Sequence, residues 1–252
     1  MSGPPATLAD TKSPNGSLTI QFSEKRLRWC EVLLVILVAF GSPLLNSFYL
    51  LKVGPKQTTQ MSSLGSVVSI IHEVTGLLLL GYVLSRHGRR FRDLGLQWSL
   101  KDVGVGLIVT VASALSYIVG ALLLQLAHYS VYGDLAPSRS SSGFFANPSP
   151  LAALPFILLN PFFEELIVRS YLMTEITELT GSVTLAVALS VIVQASYHLY
   201  YGWWVALSMG FLFLIFAVYY ARWHRALPII VAHGLFDLYG FIHLLQRSIQ
   251  PH

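Results

Sequence analysis

Long apolar runs alternate with short polar stretches along most of the chain. Seven runs lie near residues 30–51, 62–84, 103–128, 151–178, 181–201, 203–221 and 226–246. Each is roughly 18 residues or more, about the length that an α-helix needs to cross a bilayer. Backbone polar groups cannot stay unpaired in lipid, so spans of this length are predicted to be helices. The pattern therefore predicts an all-α, polytopic transmembrane helix bundle of about seven spans.

The polar segments between the runs suggest the domain limits. Residues 1–28 are rich in Ser, Pro, Thr and Gly and are predicted to be a disordered tail, followed by one transmembrane domain over 29–246. The stretch 133–150 is predicted to be a loop. The fourth run contains Pro155 and Pro161, which predict that its helix is kinked, tilted or split.

Composition and charge strengthen this interpretation. Hydrophobic residues make up 54% of the chain and charged residues only 11%, against about 25% charged in a typical soluble domain. The net charge of +4 comes from basic residues beside apolar runs, so they indicate topology and no nucleic-acid partner is expected. The single cysteine, Cys30, excludes an intrachain disulfide and any metal motif built from several cysteines.

The distribution of basic residues predicts an orientation. With the N-terminus cytoplasmic, eleven Lys and Arg residues fall on the inner side of the membrane and four on the outer side. The positive-inside rule therefore predicts a cytoplasmic N-terminus and an outer C-terminus. The expected location is the bacterial inner (cell) membrane, with the lipid bilayer as the immediate partner.

Candidate chemistry is concentrated in the later runs. An ionisable side chain inside a span costs about 2.5–3.5 kcal/mol on insertion scales, so it faces protein or water. Three runs carry polar pairs four positions apart, on one helical face: Glu165 and Arg169, Gln194 and His198, and His233 and Asp237. Glu165 and Arg169 form a natural ion pair. Glu164 is rotated away by about 100° and stands nearer the face of Asn160.

Convergence of these faces predicts an intramembrane polar cavity. It would hold Glu164, two imidazoles and Asp237. His198 lies near the end of its run, so the cavity closes only if the turn over 199–202 dips into the bilayer. Irregular backbone at that depth is tolerated where it lines a water-filled cavity. In the second run, His72 and Glu73 are adjacent and are expected to point apart, as contacts between helices or as cavity lining.

These residues resemble, in order and spacing, the three motifs of the CAAX protease and bacteriocin-processing family (CPBP, or Abi, family) of glutamic-type intramembrane proteases. The motifs are Glu-Glu-x-x-x-Arg, Phe-x-x-x-His and His-x-x-x-Asn or Asp. In motif order the matching residues are Glu164, Glu165 and Arg169, then His198, and then His233 and Asp237. The sequence departs from the second motif, since Gln194 stands where Phe is expected. The resemblance covers about residues 86–246.

The resemblance implies an intramembrane endopeptidase of the CAAX prenyl protease type, acting on a peptide or protein substrate near the membrane. It implies that Glu164 and His198 activate water, and that His233 and Asp237 line the oxyanion side. Asp237 would either donate as a neutral acid or orient His233. The supporting residues would be Glu165 and Arg169. Gln194, where the sequence departs from the motif, is expected to be a further supporting residue that changes the packing beside His198 or hydrogen-bonds it.

The mechanism has one sharp alternative. Water activation by carboxylate and imidazole needs no cofactor, and none is expected. A zinc ion bound by Glu164, His198 and His233, with an open fourth position, is the competing hypothesis. The His-Glu-x-x-His zinc motif is absent from the sequence.

Two other functions compete with proteolysis. A non-catalytic membrane adaptor or bacteriocin-immunity protein could keep the polar cavity for stability. A small transporter or proton relay also uses intramembrane Glu and His, but the sequence lacks the internal repeat that many transporters show.

Overall fold

The computed structural model describes residues 14–53, 63–136 and 150–249, and within these ranges the regular elements are all helical. The α-helices are α1 (Pro14–Val53), α2 (Ser63–Arg86), α3 (Leu100–Tyr132), α4 (Pro150–Glu164), α5 (Leu172–Thr180), α6 (Val183–Tyr197), α7 (Trp203–Trp223) and α8 (Ala226–Ile249). The predicted all-α class is therefore confirmed. Most of the predicted loop over 133–150 lies outside the described residues.

Among the described residues, five helices are long and apolar enough to cross a bilayer: α1 over Glu24–Val53, α2, α3, α7, and α8 over Ala226–His243. α6 is apolar but has only 15 residues. The fourth predicted span is one helical rod made of α4, a π-helical segment and α5. Together these elements make a multi-pass membrane bundle of about seven spans. Its outer face stays apolar, as on α3, where Leu107, Ile108 and Val111 are all more than half exposed.

The fourth span changes its helical geometry in the middle. Pro155 and Pro161 lie inside α4, and the chain then continues as a π-helix over Glu165–Tyr171. π-helical turns are rare and are frequent at functional sites. Side chains from neighbouring helices bond to this segment, since Ser190 Oγ donates to the Val168 carbonyl at 3.0 Å. The sequence predicted an irregularity in this span from Pro155 and Pro161, but α4 continues through both prolines and the geometry changes only after Glu164.

The first helix begins earlier than expected. Residues 14–28, which were assigned to a disordered tail, are helical and form the start of α1, while 1–13 lie outside the described residues. Distant partners hold the end of this segment, since the Arg28 guanidinium pairs with Glu175 of α5 at 2.6 Å and with Glu178 at 2.5 Å. Local composition does not reveal these partners. The limits of the transmembrane domain itself stay a prediction.

The connection between α2 and α3 packs against the turn between α7 and α8. The 3₁₀ turn Phe91–Leu94 ends at Gly95, which has φ +81°, a value that favours glycine. A Cβ on Gly95 would lie 2.1 Å from the His224 carbonyl oxygen. The Gly95 carbonyl accepts a hydrogen bond from the Ala226 amide at 3.0 Å. This contact fixes the connection before α3 against the turn between α7 and α8.

We expect Gly95→Ala to destabilise the fold more than Gly88→Ala. Both glycines have positive φ, but a Cβ on Gly88 would meet nothing within 4 Å. Gly88→Ala should therefore cost only the left-handed backbone strain of about 1–2 kcal/mol, whereas Gly95→Ala adds a clash with backbone. Thermal unfolding of the purified proteins in detergent measures the difference, and equal losses of stability would contradict the predicted close contact.

Candidate active site

The helices enclose a cavity of about 600 Å³, which is in the range of sites that hold drug-sized ligands. Residues from α1, α2, α4, α6, α7 and α8 line it, together with the 3₁₀ turn that follows α6. Its titratable lining side chains are His72, Glu73, Glu164, Tyr197, His198, Tyr200, Tyr201, His233 and Asp237. All four predicted catalytic residues are in this set, so the predicted polar faces do converge.

Glu164 ends α4 and is held by two hydrogen bonds from α6. Its Oε2 accepts from the Gln194 amide nitrogen at 2.5 Å and from the Tyr197 hydroxyl at 2.5 Å. Glu164 as a whole residue is 7% exposed. Two donors on one oxygen orient the group, and the residue lines the cavity. The sequence reasoning missed Tyr197, although it lies three residues after Gln194 and so shares its helical face.

His233 lies among three carboxylates. Its Nδ1 is 2.8 Å from Glu165 Oε1, while its Nε2 is 3.8 Å from Glu164 Oε2 and 3.6 Å from Asp237 Oδ1. An ionised carboxylate only accepts, so the Glu165 contact places a proton on Nδ1. This bond fixes the ring and directs Nε2 between Glu164 and Asp237. The sequence did not indicate that Glu165 contacts His233.

Glu165 and Arg169 are completely buried beside the cavity. The predicted ion pair is present, with Arg169 Nε 3.6 Å from Glu165 Oε2. Arg169 also donates to the Gln194 side-chain oxygen and lies 5.2 Å from the centre of the Phe213 ring. Gln194 therefore bridges Arg169 and Glu164. The hydrogen bond from the Gln194 side chain to His198 that the sequence suggested is not formed, because this side chain bonds Arg169 and Glu164 instead.

His198 caps α6 at its C-terminal end. Its Nδ1 donates to the Gln194 backbone carbonyl at 2.8 Å, so in that tautomer Nε2 is an acceptor. The chain then turns through Leu199–Tyr201 and reaches Gly202, whose φ of +96° favours glycine. The Tyr200 amide donates to Ser47 of α1 at 2.9 Å. This turn lines the cavity, as expected for irregular backbone between the fifth and sixth spans.

Asp237 is held by Asn160, the residue whose face was linked to Glu164 from the sequence. The Asn160 amide donates to Asp237 Oδ2 at 3.0 Å. The other carboxylate oxygen is the one near His233. Asp237 thus accepts one hydrogen bond, from Asn160, and keeps its other oxygen 3.6 Å from His233 Nε2. Its role as a neutral acid donor or as the residue that orients His233 stays a prediction.

The zinc hypothesis gains no geometric support from the described part of the chain. Within it, no group of three or more His, Cys, Asp or Glu side chains is arranged to hold a metal ion. Glu164, His198 and His233 face one cavity, but Glu164 and His233 are already engaged with protein partners. The Glu165 contact uses one His233 nitrogen, and the other lies between two carboxylates.

Residues 146–239 match the family model described as Rce1-like, type II CAAX prenyl endopeptidase. The match covers the π-helical segment and reaches beyond Asp237 in α8, so it contains every predicted catalytic and supporting residue. No curated protein and no solved structure matches the chain. The resemblance to CAAX proteases drawn from the sequence is thereby confirmed.

Gln194→Leu should cost about 2–3 kcal/mol of stability, because it removes one partner from each of two buried charged groups. Ser190→Ala on the same helix is the matched control, and it should cost about 1 kcal/mol for one neutral hydrogen bond. Unfolding in detergent, monitored by thermal shift, compares the two variants. A Gln194→Leu protein as stable as the control would show that the bridge contributes little.

Proposed function

We propose that this chain, whose residues 146–239 match the Rce1-like CAAX protease family, is an active intramembrane endopeptidase that uses Glu164 and His198 to activate water. The family match and the membrane-spanning helices make the chain a multi-pass membrane protein of a protease family. The roles of individual residues are our proposal. The observation that carries it is the Glu164 carboxylate, fixed by Tyr197 and Gln194 on the wall of a cavity that His198 and His233 share.

In the proposed reaction, a water molecule binds between the free oxygen of Glu164 and Nε2 of His198. Glu164 removes a proton as the water oxygen attacks the carbonyl carbon of the scissile bond. The tetrahedral intermediate then collapses, the C–N bond breaks, and Glu164 returns the proton to the leaving amine. Atoms and charge balance without a covalent enzyme intermediate, and no Ser or Cys nucleophile is needed.

His233 is proposed to stabilise the oxyanion. In its doubly protonated form it would donate Nδ1–H to Glu165 and Nε2–H to the developing negative charge. Asp237 would orient the ring, and Asn160 in turn would hold Asp237. A fixed donor in a cavity of low dielectric costs little reorganisation during the reaction. Glu165, Arg169 and Gln194 would act as positioning residues behind the cavity.

The family description implies a prenylated CAAX peptide as substrate, and we propose a peptide or protein substrate presented at the membrane. We also propose that the N-terminus is cytoplasmic and that the protein resides in the bacterial inner membrane, from the distribution of its basic residues. The zinc set of Glu164, His198 and His233 stays an alternative for water activation. It predicts different behaviour toward chelators.

Glu164→Gln should abolish hydrolysis of a prenylated CAAX peptide by purified protein in lipid nanodiscs, a loss of at least about 10³-fold if the general base is removed. Glu178→Gln is the control, because this exposed carboxylate pairs with Arg28 and Arg89 outside the cavity. Product is measured by mass spectrometry, with thermal unfolding as the check on folding. Full activity of a folded Glu164→Gln protein would exclude the mechanism.

The same assay separates the alternatives. Activity that survives a strong zinc chelator agrees with water activation by Glu164 and His198, whereas chelator-sensitive activity restored by zinc would favour the metal set. Absence of cleavage in the wild type, with flux into proteoliposomes that requires Glu164, would favour a transporter. A partner-binding phenotype that survives Glu164→Gln would favour the adaptor.

A further inference from the structure

Asn160 lies on the cavity wall one helical turn before Glu164. Both residues belong to α4 and both line the cavity. A separation of four positions puts them on one face of the helix, about 6 Å apart along its axis. The Asn160 amide is therefore close to the carboxylate that we assign to water activation, although the proposed reaction uses it only to hold Asp237.

The contact with Asp237 orients the Asn160 amide and uses part of its donor capacity. Asn160 Nδ2 donates to Asp237 Oδ2 at 3.0 Å. An ionised carboxylate can only accept, so this contact sets which end of the amide is the nitrogen. The amide nitrogen carries two hydrogens. The bond to Asp237 takes one of them and leaves the second for another acceptor.

Packing between α4 and α8 holds the amide in place. A Cβ on Gly234 of α8 would lie 3.6 Å from the ring of Pro161, the residue after Asn160. On the other side of Asn160, Ile157 belongs to a buried apolar cluster that includes Phe241 of α8. Contacts before and after Asn160 thus fix α4 against α8, as a preorganised donor requires.

The charges of the cavity wall favour a neutral donor at this position. The described residues that line the cavity include three carboxylates, Glu73, Glu164 and Asp237, and neither Lys nor Arg. Attack by water places a further negative charge on the carbonyl oxygen of the substrate. In the proposed reaction only His233 meets that charge, and its Nε2 is already 3.6 Å from Asp237 Oδ1. An amide such as Asn160 supplies a second donor whose hydrogen a neighbouring carboxylate cannot remove.

We propose that Asn160 is a catalytic residue that donates one N–H to Asp237 and the other to the oxyanion of the tetrahedral intermediate. This inference rests on the proposed function, because it adds a donor to the same hydrolytic site. His233 Nε2 and Asn160 Nδ2 lie beside different oxygens of Asp237, so one carboxylate anchors both donors. In this arrangement Asp237 stays ionised and does not itself donate to the oxyanion.

The first test separates stabilisation of the transition state from binding of the substrate. Wild-type and Asn160→Ala proteins in nanodiscs hydrolyse a prenylated CAAX peptide, and kcat and KM are obtained from initial rates. We expect kcat to fall by about 10²- to 10³-fold, the range for loss of one oxyanion donor, with KM little changed. Asn160→Leu, which keeps most of the side-chain volume, is the second variant and should show the same loss.

The matched control is Asn46→Ala, because Asn46 of α1 lines the same cavity and the change is chemically identical. It should retain the kcat of the wild type. Thermal unfolding in detergent shows whether each variant is folded.

The second test probes contact with the carbonyl oxygen itself. The scissile amide of the peptide is replaced by a thioamide, since sulfur is a weak hydrogen-bond acceptor. The wild type should cleave the thioamide more slowly than the amide. In Asn160→Ala the ratio of the two rates should be about 10-fold smaller, because the donor that distinguishes oxygen from sulfur is missing. Asn46→Ala should keep the ratio of the wild type.

The outcomes distinguish this inference from the proposed function. A folded Asn160→Ala or Asn160→Leu protein with the kcat of the wild type overturns the donor role and leaves the proposed function intact. So does an equal loss of rate on the amide and the thioamide, which would mean that Asn160 acts only by holding Asp237. Absence of cleavage that depends on Glu164 overturns both.

Discussion

Glu165 and Arg169 are completely buried in a bundle whose outer face is apolar, so each must find its partners within the protein. A continuous chain of contacts supplies some of these partners, although Arg169 Nη2 has no hydrogen-bond partner among the described residues. His233 bonds Glu165, Glu165 pairs with Arg169, Arg169 donates to Gln194, and Gln194 donates to Glu164. This chain ties α8 and α6 to the fourth span. The packing requirement of buried charge thereby also determines which atoms face the cavity.

The π-helical segment makes this arrangement possible in one stretch of backbone. Glu164 and Glu165 are adjacent, yet one carboxylate lines the cavity and accepts from α6, while the other lies behind it and contacts α8. Hydrogen bonds from Ser190 and Tyr220 to the carbonyls of Val168 and Ser170 stabilise the irregular turn. Side chains that stabilise the irregular turn thus also hold the reactive groups in fixed positions, as a preorganised site requires.

Much of this could be predicted from the sequence, for physical reasons. Span length and the four-residue spacing of the polar pairs predicted the helices and the shared cavity, since both depend on local geometry. The bonds from Glu165 to His233 and from Tyr197 to Glu164 were missed because they join helices, and one sequence carries no record of side-chain direction across an interface. The N-terminal tail over residues 1–28 shows the same limit of prediction, because its contacts with distant helices cannot be read from its own sequence. Its polar composition predicted disorder, but Arg28 pairs with α5 and the helix begins at Pro14.

The central claim is that hydrophilic side chains from several spans enclose a hydrated cavity within the membrane. It can be tested by introducing single cysteines into a Cys30→Ser protein in nanodiscs and measuring the rate of alkylation by a small, water-soluble thiol reagent. Cysteines in place of Ser69 and Met209, which line the cavity, should react, while those in place of Leu107 and Ile108, which face lipid, should not. Equal protection at all four positions would contradict a water-filled cavity.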